Sequence, residues 1–405
     1  VAAKPKLIYL VSEDWYFVSH RLALALAAKK AGFDVAVATR VTHHGSQIES
    51  AGLRLIPIDF TRSGLHPLRE LRALRELTAL YQREAPDLVH HVAVKPVIFG
   101  TLAARRSGAR PGIVNAIMGL GWVFSSDSLS AKAMRPSVRA GLRWALSGGR
   151  TRAIVQNADD ARGIADAGLI SPDRVRLIRG SGVDPARYGS EPATASPPLV
   201  VLPARLIEAK GVIQFIEAAA ILKQEGIAAR FALVGKPDPG NPTSIAPREL
   251  DRHVAEGHVE YWGWRNDMPA VLKAASIVCL PTFYGEGLPK SLLEAAAAAR
   301  AIVATDVPGC REIVRPGVNG WLVPPRDVGA LAGALREAIS QPALCAAFGA
   351  AGRQMVEREF SLDAIIRETL AVYEELVPTQ ASGPRGRHED GVRAGPQRVS
   401  SGARR

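Results

Sequence analysis

Three cysteines in 405 residues are too few and too scattered for a disulfide framework or a zinc site. Cys279, Cys310 and Cys345 form no CxxC pair, a pattern that fits a reducing cytoplasm. Aromatic residues make up only 6% of the chain, and no aromatic strand of the kind that stacks RNA bases occurs. A zinc-finger spacing and a basic recognition helix are missing too. The formal net charge of +12 therefore does not mark a nucleic-acid-binding protein. It points to another anionic partner, a phosphorylated substrate or an anionic membrane surface. No run of about 18 apolar residues exists, so no membrane-spanning helix is expected. The stretch Val1 to Val11 turns polar too soon for a secretory leader and reads as a first strand. Ser12-Glu13-Asp14-Trp15 follows it in place of a G-x-G-x-x-G turn, which argues against a dinucleotide-dependent oxidoreductase.

What the chain does have is a hydrophobic fraction of 47%, enough at this length for two cores. Short apolar runs alternate with helical patterns. In the first half the strand-like runs are Leu7–Val11, Val35–Ala38, Arg54–Ile58, Leu88–His91, Ile113–Ala116 and Ile154–Gln156. Helical stretches lie between them at His20–Ala31, Leu68–Glu84 and Val97–Arg106. Leu71, Leu74, Leu77 and Tyr81 recur at three- and four-residue steps and make one apolar face. A second series begins at Leu199–Leu202 and continues through Phe231–Val234, Val259–Trp262, Ile277–Leu280, Ala301–Ala304 and Trp321–Val323. Its helices include Val212–Gln224 and Pro289–Ala298. Strand–helix alternation in two blocks predicts an α/β protein of two tandem doubly wound parallel-sheet domains, Rossmann-like, facing a cleft. The expected divisions are a first domain over 1–184, a Pro/Ala/Ser-rich linker over 185–198 and a second domain over 199–360. A helix over 361–377 is expected to cross back to the first domain, and a basic tail over 378–405 to be disordered.

The chemistry concentrates between Pro281 and Ala295. A strand ends at Pro281, a Gly-containing loop follows, and Pro289 opens a helix, where its missing N–H costs nothing. The N–H groups of Gly287 and Leu288 then lie near a helix N-terminus, a site suited to phosphate. Glu286 in the loop can meet a sugar hydroxyl beside the phosphates. Glu294, two turns into the helix, can accept hydrogen bonds from a ribose diol.

Glu286 and Glu294 fit the E-x7-E motif of retaining glycosyltransferases of GT-B fold, family 4, which the chain resembles over roughly residues 5 to 377. Further features agree in that family's order. They are Gly182-Val183-Asp184, Pro203-Ala204-Arg205-Leu206 with Lys210-Gly211, Leu233-Val234-Gly235, Gly263-Trp264-Arg265 with Asp267, Ala301 to Asp306, Gly309, Glu312 and Gly320. The resemblance implies a nucleotide-sugar donor, UDP-linked, held by Gly235, Gly263, Arg265, Gly287, Leu288, Pro289 and Glu294. It also implies retention of anomeric configuration with no metal and no cofactor, Arg205 and Lys210 replacing the cation.

The first domain is similar to a narrower, capsule-type branch through Ser19-His20-Arg21, Ser63, Pro67, His91 with Lys95-Pro96, and Gly119-Leu120-Gly121 with Phe124. That branch implies an acceptor sugar carried on undecaprenyl diphosphate, in the synthesis of a bacterial surface polysaccharide or glycan precursor. Relatives carry a histidine before the Gly-Leu-Gly turn where this chain has Met118. Of the substitutes His20, His90 and His91, the last follows a strand and precedes Lys95, so it is the expected catalytic residue of the first domain's cleft. His43 and His44 fall in a polar turn and are expected to be solvated. A basic stretch with Lys132, Arg135, Arg139, Arg143, Arg150 and Arg152, interleaved with Leu142, Trp144 and Leu146, is expected to rest on anionic lipid. Arg69, Arg72 and Arg75 extend it, placing the enzyme at the inner face of the plasma membrane. The rival within this architecture is a nucleotide-sugar epimerase or hydrolase, against which the Arg205, Lys210, Glu286 and Glu294 set argues.

Overall fold

The computed structural model describes residues 3–60, 67–119, 129–238, 240–241, 243–283 and 285–377. Ser63, Leu120, Gly121, Phe124, Tyr284 and the 378–405 tail lie outside them. Seven strands form the first sheet: β1 Lys6–Glu13, β2 Asp34–Arg40, β3 Arg54–Pro57, β4 Leu88–Val92, β5 Gly112–Ile117, β6 Thr151–Val155 and β7 Val175–Leu177. Six form the second: β8 Leu199–Pro203, β9 Arg230–Val234, β10 Glu260–Gly263, β11 Ile277–Leu280, β12 Ala301–Thr305 and β13 Gly320–Val323. Their orders are β3-β2-β1-β4-β5-β6-β7 and β10-β9-β8-β11-β12-β13, and the pairings are parallel. Both sheets reverse direction of winding beside their first strand, between β1 and β4 and between β8 and β11. At such a switch point the helices diverge and leave a crevice at the strands' carboxyl ends.

Central strands such as β8 and β11 are buried along their whole length. Helices cover both faces, so the sequences read as unbroken Val, Ile and Leu rather than alternating. Strand β7 was not anticipated. It is a half-buried edge strand of three residues, too short for a periodic signal. The chain after β1 is anchored by a carboxylate instead of a glycine turn. Asp14, buried, accepts from the backbone N–H groups of Thr42, His43 and His44 at 2.7, 3.0 and 2.8 Å. Burial alone would raise its pKa, but bonds from the Thr42 hydroxyl and the N–H groups of His44, Thr42 and Trp15 hold it down to about 2.

The helix Leu362–Leu376 packs on the first sheet. Tyr373 joins the core that contains Tyr9, Leu88 and Val114. Its hydroxyl lies 2.8 Å from that of Tyr9 and 2.6 Å from Nδ1 of His90. The 185–198 segment is more than a spacer, since Tyr188 within it is 6% exposed and belongs to the second domain's core.

One expected site residue is in the wrong place for catalysis. His91 sits on β4 with its side chain in the core, 0% exposed, bonded to Asn115 Oδ1 at 2.8 Å and to the Tyr81 hydroxyl at 3.1 Å. Successive strand residues point to opposite faces, and both faces here are covered. Burial pulls its pKa down to about 4, so it is a neutral packing residue. Lys95, its presumed cleft partner, pairs with Glu70 at 2.7 Å. Replacing His91 by Ala should cost about 2–4 kcal/mol of stability, through the cavity and the stranded Asn115 amide. Activity per folded molecule should be unchanged, as denaturant titration alongside specific activity would show.

Candidate active site

The carboxyl ends of β8, β9, β10 and β11 carry the expected donor-side residues to one edge of the second sheet. After β8 the chain makes a single turn, Glu208–Lys210, and closes it with Gly211 in the left-handed conformation at φ 75°. A Cβ there would run into the Pro281 carbonyl oxygen, so the glycine lets the Lys210 turn lie directly on the end of β11. Phe283 N–H and the Thr282 hydroxyl donate to Ala209 O at 3.0 and 2.9 Å and fasten the two loops.

This contact delivers Lys210 Nζ to Glu286 Oε1 in an ion pair, with side chains 15% and 13% exposed. Thr282 Oγ1 lies 3.2 Å from that oxygen, so its single proton is shared between Glu286 and Ala209 O. Glu286 is thereby aimed, and Lys210 is held at the switch point. Arg205 pairs with Asp238 at 2.5 Å, an acid that sequence reasoning did not single out. Gly235 donates to Gly263 O at 2.8 Å, which brings the ends of β9 and β10 together. Arg265 lies farther out and forks onto Asp267 at 2.8 and 2.6 Å. Beside it Trp264 is 65% exposed, with Lys236 Nζ 5.6 Å from its ring centre.

Pro289 is the N-cap, and the helix runs Lys290–Ala297. Gly287 and Leu288 precede it. Glu294 on this helix is nearly enclosed. The Tyr188 phenol lies close to it and interacts with its charge, and Lys290 lies 3.7 Å away. Burial pushes its pKa up, against the opposing pull of Lys290 and Tyr188. Tyr188 is the main residue that sequence reasoning missed. A lone aromatic in a Pro/Ala/Ser-rich segment was the available signal.

The first domain meets this loop directly. Lys290 Nζ donates to Ser19 O at 2.6 Å, and Asn157 Nδ2 donates to Gly287 O at 3.0 Å. Gly119, at φ 91°, abuts the Gly285 carbonyl so closely that no side chain fits between them. Glu312 accepts from Ala158 N–H at 2.7 Å and from Arg179 Nε at 2.8 Å, tying the domains beside the site. Of the three candidate histidines, His20 is the one brought to the donor residues. It stacks on Tyr16, and burial, with the charges of Lys290, Arg21 and Lys210, takes its pKa down to about 3. His90 is 1% exposed, inside the core beneath.

Asp160 carries a pH dependence. Burial and the repulsion of Asp159 raise its pKa from 3.8 to about 6, although Asn157 donates to it. Between those values the native state holds more protons than the unfolded chain, so this group's contribution falls as pH rises from 3.8 to 6. Above pH 6 the full penalty persists. Asp160→Asn should therefore stabilise the protein by about 1–3 kcal/mol at pH 7.5 and not at all below about pH 4, measured by melting across that range.

The basic stretch is only partly a free surface. Leu142 and Leu146 are buried in the core, because the helix Leu129–Leu146 needs an apolar stripe to pack on its sheet. Arg152 pairs with Glu375 at 2.6 Å, and Arg69 with Asp59 at 3.0 Å. Arg139, Arg143, Arg72 and Arg75 are exposed, and so are Leu68 at 74%, Leu71 at 44% and Trp144 at 41%. Trp144 takes the Arg105 guanidinium over its ring at 4.2 Å. Among the described residues no helix is long and apolar enough to cross a membrane.

Residues 197–341 match the family described as glycosyl transferases group 1, and residues 6–157 match the family glycosyl transferase 4-like. A similar curated protein is the N,N'-diacetylbacillosaminyl-diphospho-undecaprenol alpha-1,3-N-acetylgalactosaminyltransferase of Campylobacter jejuni. It is 28% identical over 313 residues, which cover 74% of this chain and 80% of that protein. The Escherichia coli UDP-Gal:alpha-D-GlcNAc-diphosphoundecaprenol alpha-1,3-galactosyltransferase is 25% identical, over 66% of this chain and 70% of its own. Among solved structures, Anabaena Alr3699/HepE in complex with UDP and glucose superposes with a TM-score of 0.72 at 18% identity, over 91% of this chain and 99% of that one. That likeness establishes the two-domain GT-B fold.

Proposed function

The chain is a glycosyltransferase of family 4 with the GT-B fold, its halves belonging to the group 1 and 4-like families, and from that premise we propose its reaction. It moves a hexosyl or N-acetylhexosaminyl group from a UDP-linked sugar to a sugar carried on undecaprenyl diphosphate, in building a surface polysaccharide or glycan precursor. The observation that carries this reading is the Lys210–Glu286 pair at the β8/β11 switch point, with Glu294 enclosed on the adjoining helix. The names of the two curated relatives supply the acceptor class.

The donor's diphosphate lies against Lys210, Arg205 and the N–H groups at the start of the Lys290 helix. Glu286 takes the transferred sugar's hydroxyls and Glu294 the ribose diol. As the bond from the anomeric carbon to the phosphate oxygen breaks, negative charge grows on the leaving phosphate. The two cations stabilise it more in the transition state than in the ground state. Lys210 and Arg205 supply the charge that a divalent cation supplies in other enzymes. The acceptor hydroxyl bonds to the anomeric carbon on the face the phosphate leaves, and its proton passes to that phosphate, which gives retention without a protein nucleophile.

Exposed Leu68 and Leu71 with Arg72 and Arg75, and exposed Trp144 with Arg139 and Arg143, form two basic and apolar groups near opposite ends of the helix Val94–Arg106, which suit a peripheral seat on anionic lipid at the cytoplasmic face. Incubation of UDP-sugars with undecaprenyl-diphosphate-linked acceptors should yield a product one sugar longer. A protein that only hydrolyses or epimerises the donor contradicts the reading. Sedimentation with anionic liposomes should weaken as salt rises, and a protein that stays in the supernatant at low salt would remove the membrane seat.

A further inference from the structure

The donor side accounts for its own cations, since Lys210 is paired with Glu286 and Arg205 with Asp238. Arg21 is different. Its side chain is buried at 4% exposure, yet among the described residues no carboxylate meets it. Nη2 has only the weakly accepting Met118 sulfur against it, and Nε has no partner. A cation taken out of water without a counter-charge is costly to hold, and the cost is relieved when an anion joins it. Core packing alone would be served better by an apolar residue.

Its position says which anion. Arg21 follows Ser19, which Lys290 reaches across the cleft. Met118 lies against Gly287, where a Cβ would stand 2.8 Å from the Met118 carbonyl carbon. The guanidinium, against Met118, therefore lies near the contact between the domains, on the first domain's side, and its charge also reaches the buried Tyr9, His90 and Tyr373.

We propose that Arg21 binds the diphosphate of the acceptor, at a second anion site distinct from that of the donor. A guanidinium grips phosphate oxygens in a two-pronged way that a lysine cannot reproduce. The assignment rests on the proposed reaction, because it requires an acceptor that carries a diphosphate.

Inorganic pyrophosphate, added with saturating UDP so that the donor site is filled, serves as the probe. It should raise the melting temperature of the UDP-bound enzyme. Arg21→Met should weaken pyrophosphate binding about ten- to a hundredfold, with Arg21→Lys in between. Both variants should keep their response to UDP. Without ligand, Arg21→Met should melt at the same temperature as the parent or higher. A full pyrophosphate response in Arg21→Met overturns the site, as does no response in the parent. Protection by glucuronate instead of pyrophosphate also overturns it, by assigning Arg21 to a sugar carboxylate. An unliganded Arg21→Met that melts several degrees lower makes Arg21 structural. If UDP stabilises none of the proteins, the donor reading itself fails, and the two failures stay separate.

Discussion

Lys210→Ala should lower kcat by about 10^2- to 10^3-fold, the range expected for deleting one group that stabilises transition-state charge. The physical basis is the placement of Nζ, held by the Gly211 turn against the end of β11. In the ligand-free protein its charge is matched by Glu286. The donor's diphosphate shares it, and the leaving phosphate claims more of it as the glycosidic bond breaks. Loss should therefore fall on kcat more than on KM. Glu286 keeps its bond from Thr282, and the rest of the turn is held by backbone hydrogen bonds. The variant should fold, with unchanged circular dichroism and a melting temperature lower by a few degrees at most. Lys210→Arg should recover part of the rate, because the charge survives and its position does not. A Lys210→Ala enzyme with near-normal kcat contradicts the assignment of the diphosphate site.

Glu294→Ala should reduce kcat/KM by about 10^2-fold or more. Two charge-assisted hydrogen bonds to a diol are each worth about 1.5–3 kcal/mol, and they anchor the nucleotide that orients the sugar. Glu294 is enclosed, and its pKa is already raised by burial. Its removal therefore relieves a desolvated carboxyl as well as losing contacts, and little stability should be lost. Tyr188→Phe separates the contributions. It takes away a hydroxyl that favours the ionised Glu294 without removing the carboxylate that meets the diol, so a smaller loss is expected, about three- to tenfold. Equal losses in both variants would mean that Tyr188 itself touches the donor.

The proposed donor half of the site could be drawn from the sequence because its residues are local. Glu286, Pro289 and Glu294 lie within one strand–loop–helix unit, and Arg205, Lys210 and Gly211 within another. The placement of each unit at a strand's carboxyl end follows from the parallel α/β pattern. The strands could be read for the same reason, as continuous apolar runs between turn residues. What was not legible depends on contacts distant in sequence. Tyr188 reaches Glu294 from the segment joining the domains, and Glu312 latches onto Ala158 and Arg179. His91 misled because a histidine at the end of a strand has the same local sequence in a core as in a cleft. Only its neighbours Asn115 and Tyr81 decide between them. The basic helix misled in part for a related reason. Leu142 and Leu146 look like a lipid-facing stripe until the sheet beneath them is seen.

The account turns on whether the enclosure formed by Lys210, Glu286 and Glu294 holds a nucleotide sugar. Release of UDP from a panel of UDP-sugars without acceptor measures this most directly. At least one UDP-sugar should be turned over slowly by the parent enzyme, with a KM in the usual range of about 1 μM to 1 mM, and not detectably by Glu294→Ala or Lys210→Ala. A parent enzyme that neither binds nor hydrolyses any of them, or two variants as active as the parent, would contradict it.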